Sequence, residues 1–181
     1  MMYKCTLKDI NIELTSSIAR HSGNENLAYK VVDGKPIYLS IFYPLDYKRD
    51  YKFPVLFLIH GGGWESHKIF EGETNWQGDY LGYLARYFSD KGYICISIDY
   101  RLMQEMGQKE GYQLTDLYSD CKDAVNYILD HESKLKIDIT RAYVLGESAG
   151  GHLAGLLATK YRRENFSFKC AFLVNAITDL V

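Results

Sequence analysis

The segment Gly146-Glu147-Ser148-Ala149-Gly150-Gly151 most restricts the folds open to this chain. Ala142-Tyr143-Val144-Leu145 before it is a short apolar run of buried-strand type. After it, Leu153, Leu156 and Leu157 recur at helical spacing between His152 and Tyr161. Ser148 therefore falls on a sharp strand-to-helix turn. Such a turn holds a serine in a strained backbone conformation with its hydroxyl above the sheet, and glycines on either side let strand and helix approach closely. Gly146 and Gly150 stand in those two places.

A second motif lies far upstream. Val55 to Ile59 reads as another buried strand, and it runs directly into His60-Gly61-Gly62-Gly63-Trp64. A strand that ends in three glycines offers peptide N–H groups that can come close to a ligand. Aimed at a carbonyl oxygen, they stabilise the negative charge that develops there during attack without having to reorganise. Ala149 N–H, at the start of the helix after the serine, is a further donor. By itself a glycine-rich run is a turn with no ligand; paired with the serine turn, it points to nucleophilic acyl transfer.

The remaining pattern alternates strands with helices. Tyr29 to Val32 and Pro36 to Tyr43, joined by Asp33-Gly34, read as a β-hairpin, because Asp-Gly favours the turns that match strand twist. Tyr80, Leu81, Leu84, Tyr87 and Phe88 form one helical stripe, stopped at Lys91-Gly92. The strand Tyr93 to Ile98 follows, and then a second stripe from Leu117 through Cys121, Ala124, Val125 and Ile128 to Leu129. Alternation of this kind predicts an α/β fold with a mostly parallel sheet covered by helices on both faces. We expect a single domain over residues 1–181, with 1–28 as an N-terminal extension. At 181 residues and 47% hydrophobic content the chain can bury a sizeable core.

A net charge of −2 gives no reason to expect a nucleic-acid partner, and Lys48-Arg49 and Tyr161-Arg162-Arg163 read as solvated charges. No stretch has the length of a bilayer span or the apolar core of a signal peptide, so the expected location is cytoplasmic and free of membrane. Cys5, Cys95, Cys121 and Cys170 lack metal-ligand spacing and read as small core residues in a reducing compartment. No motif calls for a metal or an organic cofactor.

His60-Gly61-Gly62-Gly63-Trp64, Asp99-Tyr100-Arg101-Leu102 and Gly146 to Ala154 resemble the pattern of α/β-hydrolases of the hormone-sensitive-lipase and acetyl-esterase type, from about Tyr29 to the last residue. The resemblance implies a serine esterase acting on small-molecule esters, with Ser148 as nucleophile and the N–H groups of Gly62, Gly63 and Ala149 as the oxyanion hole. Gly61 is a further candidate donor, and His60 would brace the loop. An amidase or formamidase on the same framework, and a non-catalytic ligand-binding homologue, remain alternatives.

The sequence departs from that pattern after the serine. In the family the acid and then the histidine follow the nucleophile on later loops, whereas here thirty-three residues, 149–181, remain. They contain His152, Glu164 and Asp179. His152 lies one turn along the nucleophile helix and reads as a packing or capping residue. Asp179 comes one strand early for the acid, and His67 enters before the serine. No catalytic acid or histidine is therefore identified. The fold is expected to be truncated after about the sixth strand, Lys169 to Val174, whose open apolar edge would be a site of self-association. The aromatics of the Glu65 to Asp79 region either cover an acyl pocket or pack onto the sheet.

Overall fold

The computed structural model of the chain describes residues 24–47, 50–65, 80–103 and 111–178. In chain order they form strands β1 (Asn24–Val32), β2 (Lys35–Phe42) and β3 (Phe53–Ile59), helix α1 (Tyr80–Asp90), strand β4 (Ile94–Ile98), helix α2 (Leu114–Asp130), strand β5 (Ile137–Glu147), helix α3 (Ala149–Lys160) and strand β6 (Cys170–Val174). The six strands make one sheet in the order β1-β2-β4-β3-β5-β6.

β1 and β2 form the expected antiparallel hairpin. Asp33 and Gly34 both take positive φ, 51° and 75°, as a turn matched to strand twist requires. β1 begins at Asn24, so residues 24–28, expected to precede the fold, lie in the sheet; Asn24 pairs with Phe42 at the far end of β2. β2 runs antiparallel to β4, while β3 is parallel to both β4 and β5, and β5 is parallel to β6.

The alternation of side chains along β3 divides the core. Val55, Phe57 and Ile59 face α2 and α3, joining Leu117, Cys121, Ala124, Val125, Ile128, Leu153 and Leu157 in one fully enclosed cluster. Leu56 and Leu58 face the other way, toward Leu81 and Ala85 of α1. Each such aliphatic side chain withdrawn from water contributes roughly 1.5–3 kcal/mol before conformational entropy is counted. α2 starts where Asp116 accepts the Gln113 N–H at 2.9 Å, an acidic group placed in the first turn where the helix dipole favours it.

The two faces of the sheet are covered unequally. α1 lies over β4, β2 and β3, and beyond it Leu56, Phe88, Tyr93, Tyr143, Leu145 and Phe172 line an apolar hollow of about 160 Å³. β6 is the outermost described strand on that side, and Phe172 and Leu173 are 49% and 43% exposed there. Among the described residues no helix is long and apolar enough to cross a membrane.

Candidate active site

β5 delivers Gly146 and Glu147 to the parallel end of the sheet, and Ser148 turns the chain into α3 with φ 52° and ψ −118°. That backbone is costly for any residue with a Cβ. It persists because both sides of the peptide are held: Ser148 N–H donates to the Val174 carbonyl at 2.8 Å, and the Ser148 carbonyl accepts His152 N–H at 3.1 Å. A Cβ at Gly146 would meet the carbonyl of Gly150, and one at Gly150 would meet the carbonyls of Ile59 and His60. Glycine at 150 thus allows the first turn of α3 to rest on the end of β3, where the glycine loop begins.

The loop lies against the serine turn. A Cβ on Gly61 would overlap the Glu147 carboxylate and stand 3.2 Å from Ser148 Cβ, so this position is set by lack of room. Gly62, Gly63 and Trp64 all have positive φ, at 104°, 64° and 62°. Glu65 N–H donates to the Gly62 carbonyl at 3.1 Å and closes the turn. Three successive left-handed residues fold this backbone back on itself, as two glycines readily permit. Ala149, buried, occupies the first helical position after the serine. The structure therefore brings Gly61 against Glu147 and Ser148, and His60 against Gly150 of the first turn of α3, with Gly62 and Gly63 continuing the same glycine turn.

His60 is buried and stacks on Tyr100, with ring centroids 4.2 Å apart and planes 7° from parallel. Its Nδ1–H donates to the Gly61 carbonyl at 2.7 Å, and its Nε2 lies 3.7 Å from Asp99 Oδ1. The Tyr100 hydroxyl donates to the His60 carbonyl at 2.7 Å. Burial pushes the Tyr100 phenol well above its ordinary range, keeping it a hydrogen donor. Met103 N–H donates to the Trp64 carbonyl at 2.7 Å. The Asp99 to Met103 segment thus holds the loop at both ends.

That segment is itself anchored by a residue that sequence reasoning missed. Asp120, fully buried in α2, accepts Arg101 Nε at 2.7 Å, Arg101 Nη2 at 2.8 Å, Arg101 N–H at 3.1 Å and Lys30 Nζ at 2.7 Å. The Tyr29 hydroxyl donates to the Asp99 carbonyl at 2.8 Å. A carboxylate amid Leu117, Cys121 and Ala124 on the buried stripe of a helix was the available signal, since a charge there needs a partner.

His152 sits on α3 with its ring edge-on to Trp64, centroids 5.6 Å apart and planes at 83°. Desolvation holds its imidazole below the usual range. Glu164 is exposed in the connection after α3. His67, Phe70, Trp76 and Asp179 lie outside the described residues, as does most of the Glu65 to Asp79 region. Among the described residues no histidine or carboxylate is hydrogen-bonded to Ser148 Oγ, and no three His, Cys, Asp or Glu side chains gather as a metal site. Cys95 and Cys121 are buried, and burial raises both thiols. Cys170 is exposed on β6 rather than in the core.

A mixed sheet of this order, with a serine elbow packed against a glycine loop, defines an α/β-hydrolase of the hormone-sensitive-lipase and acetyl-esterase type. The chain belongs to the BD-FAE family, whose model matches residues 39–180. It superposes on an esterase of the Planctomycetes species Thermogutta terrifontis in its propionate-bound form with TM-score 0.69 and 25% identity, covering 86% of this chain and 56% of that one. It is 29% identical over 136 residues to a non-reducing polyketide synthase of Stereocaulon alpinum, matching 72% of this chain and 5% of that protein. It is also 29% identical over 117 residues to tuliposide A-converting enzyme 2 of Tulipa gesneriana, with 60% of this chain and 28% of that protein covered. The chain thus spans about half the length of the esterase it matches and a small part of the polyketide synthase.

Proposed function

We propose that this protein is a carboxylic ester hydrolase for small acyl esters, with Ser148 as its nucleophile. Ser148 Oγ attacks the ester carbonyl carbon as its proton passes to a base. The N–H groups of Gly62, Gly63 and Ala149 receive the charge on the carbonyl oxygen. The tetrahedral intermediate collapses by expelling the alcohol, which takes that proton back from the base; water then attacks the acyl-serine ester, giving up a proton through the same base to Ser148 Oγ as the carboxylic acid leaves. The observation that carries this reading is the strained Ser148 backbone packed directly on the Gly61 turn, a strain that packing alone does not call for. His60 serves as the brace of the loop.

That no histidine or carboxylate among the described residues reaches the Ser148 hydroxyl favours a second reading, a ligand-binding homologue that does not turn over. Loss of the base costs about 10⁴ to 10⁶ in turnover, whereas oxyanion stabilisation and binding alone leave roughly 10³ to 10⁴ over water. Labelling with a fluorophosphonate, read by intact mass and peptide mapping against Ser148→Ala, separates the two. Fast labelling confined to Ser148 supports the hydrolase; no labelling of folded protein supports the binder. We further propose that the β6 edge pairs with a strand of a second copy, supported by β6 standing outermost among the described strands, with β5 on its inner side. The buried free thiols of Cys95 and Cys121 accord with a cytoplasmic setting.

A further inference from the structure

The glycine loop is oriented one peptide at a time. In a trans peptide the N–H points away from the carbonyl of the preceding residue, so a bond that pins one carbonyl also aims the next N–H. The described residues contain no cis peptide. Glu65 N–H holds the Gly62 carbonyl at 3.1 Å, which fixes the Gly63 N–H. The His60 ring holds the Gly61 carbonyl at 2.7 Å, which fixes the Gly62 N–H. Both holds lie within the loop's own sequence. The third comes from outside: the Tyr100 hydroxyl donates to the His60 carbonyl at 2.7 Å and so fixes the Gly61 N–H. The same phenol ring, stacked on His60, also sets the plane of the imidazole that holds the next carbonyl.

Tyr100 is itself placed by an irregularity in β1, the outermost described strand at the other edge of the sheet. Ala28 pairs with Tyr38 and Lys30 with Ile37, so Tyr29 is an extra residue in the ladder. A bulge re-aims side chains, and here two successive ones turn toward the α2 side: Lys30 to Asp120 and Asp123, and Tyr29 to the Asp99 carbonyl at 2.8 Å. Tyr100 N–H donates to Asp99 Oδ1 at 3.0 Å. The Asp99–Tyr100 peptide is therefore held at its oxygen and at its N–H. We propose that Tyr100, placed by Tyr29, is the positioning residue of the oxyanion hole: its hydroxyl sets the His60–Gly61 peptide and, through it, the N–H groups that follow. This deepens the esterase reading, on which it rests, by assigning the hole's aim to two tyrosines that do not touch the reacting atoms. Removing an oxyanion donor costs about 10² to 10³ in turnover. A donor left in place but misaimed loses part of that, about 10- to 100-fold.

The test uses the full chain and Tyr100→Phe, which keeps the ring stack and removes only the hydroxyl. Tyr161→Phe is the control, because it deletes a 2.6 Å hydroxyl bond to Asn126 at the opposite end of α3 from Ser148. With 4-nitrophenyl acetate as the probe, at a temperature where each variant is fully folded, Tyr100→Phe should lower kcat about 10- to 100-fold with KM within about twofold, and Tyr161→Phe should change neither. In the assigned ¹H–¹⁵N spectrum the Gly61 amide should shift or broaden in Tyr100→Phe, while those of Gly34 and Gly92, in turns elsewhere, stay in place. An unchanged kcat, a loss shared equally by Tyr161→Phe, or an unmoved Gly61 amide overturns the positioning role. If Tyr100→Phe does not fold, Tyr29→Phe takes its place: releasing the Asp99 carbonyl should move the Gly61 amide through Tyr100, and an unmoved amide overturns the proposal equally. The parent reading fails separately. An unaltered chain that neither turns over the ester nor labels with a fluorophosphonate removes the hydrolase, and the Gly61 amide alone then decides the role of Tyr100. A working serine beside an unmoved Gly61 amide sinks only the positioning role.

Discussion

Asp120→Ala is the substitution whose cost follows most directly from the structure. The Asp120 side chain has no exposure, and that of Arg101 is 11% exposed, so water does not screen this pair as it would at a surface. Removing the carboxylate takes from Arg101 its two shortest side-chain bonds and the acceptor of its N–H, leaving the guanidinium the Asp116 carbonyl at 3.3 Å and the Tyr112 ring at 4.5 Å; Lys30 can turn to Asp123, already 2.6 Å away. Breaking a buried pair by deleting one partner costs about 3–5 kcal/mol. With a urea slope of about 2–3 kcal/mol per molar for a chain of this size, the unfolding midpoint should fall by about 1–2.5 M with the slope unchanged. The double variant Asp120→Leu, Arg101→Met replaces both charges by apolar groups and should lose less than Asp120→Ala alone, since swapping a whole buried pair is often close to neutral. A loss under about 1 kcal/mol for Asp120→Ala would refute the reasoning. So would a double variant less stable than Asp120→Ala, because the ion pair would then be supplying net stability of its own.

Gly150→Ala places a methyl against the carbonyls of Ile59 and His60, backbone that cannot swing aside. It should destabilise by about 1–3 kcal/mol and slow Ser148 labelling more than the lost stability accounts for, which labelling rates at full folding would check. Phe172→Lys puts a charge on the exposed apolar edge and should reduce association through β6; light scattering at matched concentrations reads this, and unchanged association would place the contact elsewhere.

Both glycine motifs were legible because each expresses a backbone requirement. Gly150 and Gly61 stand where any side chain would overlap neighbouring atoms, and Asp33-Gly34 where both residues have positive φ. The strand and helix alternation was legible for the same kind of reason, since burial on one stripe or on both faces leaves a period. What could not be read was long-range pairing of polar groups. Asp120 lies 19 residues from Arg101 and 90 from Lys30, and a lone helix carboxylate ordinarily reads as solvated. Asn24 to Asn26 read as part of the N-terminal extension because their strand identity comes from β2, including the hydrogen bond between Ser40 and Asn26. Cys170 read as core because its apolar neighbours suggest a central strand; its exposure follows from β6 being outermost among the described strands. The contact of Trp64 with His152 had no local signal, because it exists only once the glycine loop has folded onto α3.

The hydrogen bond from Ser148 N–H to the Val174 carbonyl continues the β5–β6 ladder by one rung beyond Glu147↔Val174. The most contorted peptide of the site is thus fastened to the strand with the least cover, and its poise is inherited from a neighbour rather than from the turn itself. Amide exchange at Ser148 should therefore follow the opening of β6, not the fraying of α3. Whatever steadies that outer strand, whether a second copy or another polypeptide, also sets how long the serine stays cocked.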